Sequence, residues 1–166
     1  MREMRRKNQQ LPIDESIEIL EKSSSGVLAV SGDGGYPYAV PMSYVYFDGK
    51  IYFHSATQGH KVDAVRSCDK ASFCIISEDE VVAETFSTNY KSVIVFGKVS
   101  IVEDAAEKRA AIEALAKKYS IEHMAKGYEE IKTEWDRFYM IALTPEHITG
   151  KEARALMMQR KKAKTE

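Results

Sequence analysis

Residues 36 to 66 read YPYAVPMSYVYFDGKIYFHSATQGHKVDAVR. Val, Ile, Tyr and Phe dominate its first half, residue types that suit a pleated, half-buried surface, so Tyr36 to Phe47 is expected as one long strand. Asp48-Gly49 supplies the two positive-φ positions of a tight hairpin and returns the chain as Ile51-Tyr52-Phe53-His54-Ser55. A short helix follows from about Gly59 to Arg66, with Val62 and Val65 facing inward.

The same pattern extends outward on both sides. Upstream, Asp14 to Lys22 reads as a helix capped by Asp14, with Ile17 and Leu20 on one face and Ser23-Ser24-Ser25-Gly26 as its stop. Val27 to Val30 opens the run of strands, and Gly32-Asp33-Gly34-Gly35 turns the chain into Tyr36. Three strands joined by tight turns predict an antiparallel meander. Downstream, Ala71 to Ser77 and Ser92 to Val102 are rich in β-formers. Asp104 to Glu107 matches a capping box that opens a helix through Lys118, with Ala110, Ile112, Ala114 and Leu115 inward. A helix around Tyr128 to Glu134 and a last strand from Arg137 to Leu143 complete the pattern. Long strands with helices at their corners indicate an α+β fold with a partly open antiparallel barrel. Residues 1–166 are expected as a single domain, with 1–12 and 152–166 as extended arms or tails.

Composition narrows the function. A formal net charge of −1 supplies no global field for nucleic acid or an anionic membrane. The basic ends (Arg2, Arg5, Arg6, Lys7 and Arg160, Lys161, Lys162, Lys164) and the acidic stretch Glu78, Asp79, Glu80, Glu84 are expected as solvated surface. Cys68 and Cys74 have no histidine at ligand spacing, so neither a metal site nor a structural disulfide is expected. Without an apolar leader or a membrane-length apolar run, the expected location is the cytoplasm.

The chemistry concentrates in His54-Ser55-Ala56-Thr57-Gln58-Gly59-His60-Lys61, which leaves a strand and enters a helix. Unpaired N–H groups and the helix dipole both favour an anion at such a point. Lys61 adds a full charge, Ser55 and Thr57 add hydroxyl donors, and Gly59 permits close backbone approach. An ordinary helix start with an exposed lysine has the same local pattern, so this segment alone leaves both readings open.

The order of "VPMSYVY", "FDGKIYFHSA" and "GHK" resembles the FMN-binding split-barrel family of pyridoxamine 5′-phosphate oxidase. Within it the chain is most similar to the nitroimidazole-resistance (Nim-type) branch, through Met4-Arg5-Arg6-Lys7 with Leu11 and through Ile148-Thr149-Gly150-Lys151-Glu152-Ala153-Arg154. The resemblance implies an antiparallel split β-barrel, FMN, and a homodimer with flavin at its interface. It assigns Val40, Pro41, Met42, Ser43 and Tyr44 to the strand along the isoalloxazine and ribityl. It assigns His54, Ser55, Ala56, Gly59, His60 and Lys61 to the phosphate end and its approach, with His60 where the oxidase branch carries Arg. Ser92, and Thr149, Gly150 and Lys151 from the partner subunit, are implied as further flavin contacts.

The resemblance further implies an oxidoreductase that passes electrons from NAD(P)H through FMN to a small-molecule acceptor, a nitroaromatic among the candidates. The chain ends in Gln159-Arg160-Lys161-Lys162 without the oxidase's closing "RP" motif, so oxidation of vitamin B6 is not expected. His54 is the candidate catalytic residue, a proton donor or substrate contact beside the flavin; simple packing against the ring is the competing role. Two other readings stay open: a flavin-storage protein without turnover, and a haem-binding split barrel using His54, His60, His123 or His147. His123 and His147 are otherwise expected as isolated surface residues, and Tyr44 and Tyr90 as positions where a flavin edge or substrate stacks.

Overall fold

The computed structural model describes residues 1–163, so Lys164 of the basic end lies outside the described residues. The elements are α1 (Ile13–Lys22), β1 (Ser25–Ser31), β2 (Pro37–Ser43), β3 (Val45–Phe47), β4 (Lys50–Ala56), α2 (His60–Ser67), β5 (Lys70–Val82), β6 (Ser87–Ile101), α3 (Ala105–Ser120), α4 (Met124–Thr133), β7 (Phe138–Glu152) and α5 (Arg154–Ala163). The strands form one seven-stranded sheet in the order β2-β1-β5-β6-β7-β4-β3, antiparallel throughout.

That order dictates the shape. In a flat sheet, neighbouring strands spaced about 4.8 Å apart would put the two edges roughly 29 Å from each other. Yet the edge strands β2 and β3 are separated in sequence by Tyr44 alone, a link that spans at most about 7 Å. The sheet must therefore curl until its edges nearly meet, which makes the α+β split barrel expected from the sequence.

The single strand expected from Tyr36 to Phe47 is broken at Tyr44, and the expected meander is not formed. β2 pairs with β1, β3 pairs with β4, and β4 turns away from β2 to pair with β7. Tyr44 leaves the ladder because its fully buried ring points into the barrel, where its hydroxyl donates to the Leu20 carbonyl at 2.7 Å. The peptide groups freed by the break are met by one side chain from α3. The Tyr44 amide donates to Tyr119 Oη at 3.1 Å, and that hydroxyl faces the carbonyl oxygens of Tyr44, at 2.8 Å, and Ser24. The Asp48-Gly49 turn forms as read, with φ of 48° and 75°.

Strand alternation divides the buried residues between two cores. Leu28, Tyr44, Phe53, Phe73, Val95 and Ile141 fill the barrel, with Leu20 of α1 and Val65 of α2. Tyr52, Ala111, Ile112, Ile131, Phe138 and Met140 form a second layer beneath α3 and α4. α3 thus buries Ala111 and Ile112, whereas Ala110, expected inward, faces solvent. Asp104 accepts from the Glu107 amide at 2.7 Å, but Glu107 does not close the capping box. Its carboxylate instead takes hydrogen bonds from Lys50 Nζ and Tyr52 Oη, each at 2.7 Å, and they hold it below the usual carboxylate range.

Several boundaries differ from the sequence reading. Pro12 rather than Asp14 occupies the cap position of α1. β5 and β6 continue beyond a bulge at Ile76/Glu78, so the acidic stretch lies on a long hairpin whose tip includes the fully exposed Phe86. Near the N-terminal end Leu11 is buried and its amide donates to the Gly150 carbonyl at 3.0 Å. α5 is a helix anchored by Met157 and by Arg160, whose Nε donates to the buried Glu152 at 2.8 Å. Among the described residues, no helix is long and apolar enough to cross a membrane.

Tyr119→Phe deletes the hydroxyl that meets the strand break while keeping the ring. It is expected to destabilise the fold by about 1–2 kcal/mol, read as a lower urea midpoint with an unchanged m-value.

Candidate functional site

β4 and α2 build the site from opposite directions. The two-residue period of β4 turns Phe53 and Ser55 toward the barrel and His54 and Ala56 toward the α3–α4 side. The chain then crosses Thr57 and Gln58 to Gly59, which precedes α2 with φ 117° and ψ 166°. A side chain is strained at that φ, and the position faces open space, with nothing within 4 Å of where a Cβ would stand.

The strand-to-helix crossing leaves a row of donors. Among the described residues, the amides of Thr57, Gln58, Gly59, His60 and Lys61 donate to no backbone carbonyl, and no side chain caps α2. The Lys61 ammonium is half-buried and has no carboxylate partner there; its polar contact is the Met42 thioether, 3.3 Å away. Burial pushes its pKa down, the expected result for a cation lacking an anion. Ser55 is buried nearby in sequence on the barrel side and makes no side-chain hydrogen bond among the described residues. A row of N–H groups backed by a lysine has the donor chemistry to hold an anion.

His60, the first residue of α2, also faces the β1–β2 turn. Its ring stacks on Tyr38 at 4.1 Å, and its Nε2 accepts from the Asp33 amide at 3.3 Å. The Asp33 carboxylate lies 3.8 Å from the same nitrogen, so these contacts tie α2 to the β1–β2 turn.

β2 supplies the facing edge. Val40 and Met42 point inward, while Pro41 and Ser43 are exposed. Tyr44, expected as a stacking position, is closed to a ligand. One side of its ring meets the edge of Phe73 at 4.8 Å, and the Lys118 ammonium sits 4.1 Å from its centre.

His54 borders a cavity of about 750 Å³ between β4 and helices α3 and α4. Its ring meets Phe138 edge-on at 5.1 Å. Desolvation first, then the charges of Lys61 and Lys108, push its pKa below the ordinary histidine value, so it is neutral at pH 7. The cavity also takes in His123, offered by the sequence only as a haem ligand or an isolated surface residue, and Lys126 and Tyr119, which it did not single out. Only the packing of α4 against α3 brings His123 to the wall shared with His54.

Ser92, Thr149 and Lys151 come together elsewhere, in a cavity of about 230 Å³ with Arg2, Met4 and His147. Lys91 to Ile94 pair with Thr149 to Glu152, whereas His54 pairs with Met140. Met140 and Lys151 are separated by roughly 36 Å of strand at about 3.3 Å per residue. Within one chain these residues line a different cavity from that of His54. At Gly150 a Cβ would stand 2.2 Å from Ser16 Oγ, so the backbone there packs closely on α1. Tyr90 is half-buried beneath the Lys151 ammonium, 5.2 Å from its ring centre.

The sequence profile of the pyridoxamine 5′-phosphate oxidase family matches residues 12–152. The chain belongs to this family of FMN-binding split barrels. No curated protein sequence matches it significantly. Solved structures share the fold at low identity. A candidate 5-nitroimidazole antibiotic resistance protein of Bacteroides thetaiotaomicron is 20% identical with a TM-score of 0.72, over 86% of each chain. A conserved hypothetical protein of Mycobacterium tuberculosis is 18% identical with a TM-score of 0.78, over 93% of this chain and 92% of that one. An FAD- and haem-binding protein of Mycobacterium smegmatis is 18% identical with a TM-score of 0.73, over 88% of this chain and 74% of that one.

The His54 environment makes a signed prediction. Its imidazole is expected to titrate below free histidine in a ring-proton NMR titration, and Lys61→Met is expected to raise that midpoint by removing a like charge. A midpoint at or above about 6.5 in the wild type would contradict the assignment.

Proposed function

We propose that the chain is an FMN-dependent oxidoreductase, a cytoplasmic homodimer that takes electrons from NAD(P)H and passes them to a small acceptor beside His54. The observation that carries this reading is the row of unpaired amides from Thr57 to Lys61, backed by a lysine that has no carboxylate partner among the described residues. These donors suit a terminal phosphate, which separates FMN from riboflavin. Lys61, Ser55 and the Gly59 backbone would hold that phosphate, and Val40 to Ser43 would lie along the ribityl and ring. Bound flavin supplies the redox chemistry; the protein supplies position, field and exclusion of water. His54, neutral at pH 7, can direct a ring N–H toward an acceptor oxygen or receive a proton there.

The dimer is supported by the outer face of the sheet. Register places Val27, Cys74, Ile94 and Thr149 in one cross-strand row, with Ile76, Ser92 and Lys151 in the next row on the same face. Val27, Ile76, Ile94 and Phe96 leave an apolar surface there, between 38% and 66% exposed. A second copy covering that face would carry Ser92, Thr149 and Lys151 toward the first copy's flavin.

The test is the absorption spectrum of purified protein, followed by NAD(P)H oxidation with and without a nitroaromatic acceptor. Flavin bands with acceptor-dependent turnover are expected. Flavin bands without turnover would indicate storage, a Soret band would indicate haem, and a colourless protein that fails to take up FMN would end the proposal. Lys61→Ala is expected to weaken FMN binding by roughly 1–3 kcal/mol through loss of a charge-assisted contact.

A further inference from the structure

The hairpin of β5 and β6 runs past the rest of the sheet. β1 pairs with β5 only from Ser72 to Cys74, and β7 reaches β6 no further than Lys91. Residues 79–89 are therefore a two-stranded arm with no third strand beside it, re-aimed by the bulge between Ile76 and Glu78. Such a ribbon is marginal in water unless one of its faces is covered.

The two faces of the arm differ. Glu80 and Asn89 share one of them, and their side chains are joined at 3.3 Å. The other carries Asp79, Tyr90, Val81 and Thr88, and strand alternation continues it into Ser92, Ile94 and Phe96 of the outer sheet face. Val81 is 76% exposed, and Phe86 at the tip is 99% exposed. Phe86 also holds a φ of 50°, a left-handed conformation that glycine or asparagine takes far more readily. Fully in water, its ring gains nothing from its own chain.

Area and charge both point to a second copy of this chain as what covers the arm. At about 200 Å² for a fully exposed large apolar residue, Val27, Ile76, Ile94 and Phe96 together offer roughly 350 Å². A standard interface buries about 800 Å² per partner, of which roughly 450 Å² is apolar, so the sheet face alone falls short. Val81 and Phe86 add about as much again and carry the surface past that mark. Charge is self-complementary as well. Arg2 and Lys151 line the small cavity on the sheet face, and no carboxylate lines it. Neither makes an ion pair within 4 Å among the described residues. The arm has the opposite sign: Asp79 and Glu84 are exposed and equally unpaired, whereas Glu78 is held by Lys91 at 3.2 Å. A two-fold axis that lays each arm across the other copy's sheet face makes both matches twice.

We propose that the β5–β6 arm is a dimer clasp. Each copy lays Val81 and Phe86 on the sheet face of the other, with Asp79 and Glu84 toward its Arg2. The clasp rests on the proposed homodimer and deepens it, because the placing of Ser92, Thr149 and Lys151 at the other copy's flavin then depends on the arm.

Sedimentation equilibrium of the full chain tests this with the wild type and the Val81→Ser/Phe86→Ser variant. The wild type is expected to be a dimer, and the variant to dissociate about tenfold more readily or beyond, with unchanged circular dichroism. Replacing Phe86 by p-benzoylphenylalanine keeps a large ring at the tip and gives a direct readout. Irradiation is expected to yield a covalent dimer with its adduct within residues 2–4, 92–96 or 147–151 of the second copy. A dimer that ignores the double substitution, or adducts confined to one chain or lying outside those residues, would overturn the clasp and leave the sheet-face dimer standing. A monomeric wild type would overturn the clasp and the proposed dimer together. FMN uptake is read separately by absorption: a clasped dimer that binds no FMN would overturn the proposed function alone.

Discussion

One covalent fact organises the molecule: the two edge strands of a seven-stranded sheet are consecutive in the chain, separated by Tyr44. The sheet has to curl to satisfy it, and the curl has a cost at the crossing point. A residue that belongs to neither ladder carries an amide and a carbonyl with no strand partner. Tyr119 answers both with one hydroxyl, and the Tyr44 side chain is locked to α1 through Leu20. α1 and α3 are thus tied to the same residue from either side. That arrangement sets the gap between β2 and β4, and the Lys61 ammonium spans it to reach Met42.

The position of the site follows from this gap. β4 ends there with His54 and Ser55 on opposite faces, and α2 begins there with an uncapped N-terminus. The proposed phosphate cradle and the cavity beside His54 therefore sit on the two sides of one strand, close enough for Lys61 to depress the imidazole. The same curl sends the far end of β7 away, with Lys151 and Ser92 on an uncovered apolar face. A homodimer is the proposed way to bring the two groups of residues together, since within one chain they line separate cavities.

Much of this was legible in the residues, and what was not has physical reasons. Strand alternation from Ile51 to Ser55, the Asp48-Gly49 turn and the inward Val62 and Val65 are local properties, and they form as read. The break at Tyr44 was invisible because its partner lies 75 residues away in α3. Glu107 matched a capping box by spacing, but a tertiary contact with Lys50 and Tyr52 took its carboxylate. The stacking of His60 on Tyr38 was likewise hidden, because it depends on how α2 packs against β2. His123, named in the sequence only as a candidate haem ligand or isolated surface residue, reaches the wall shared with His54 through the packing of α4.

The central claim is that the Thr57–Lys61 cradle recognises a terminal phosphate. Calorimetric titration of the flavin-free protein with FMN and with riboflavin isolates that phosphate, since the two ligands share every other atom. The account predicts that FMN binds at least tenfold more tightly than riboflavin, a difference of about 1.4 kcal/mol or more. Equal affinity for the two ligands would contradict it.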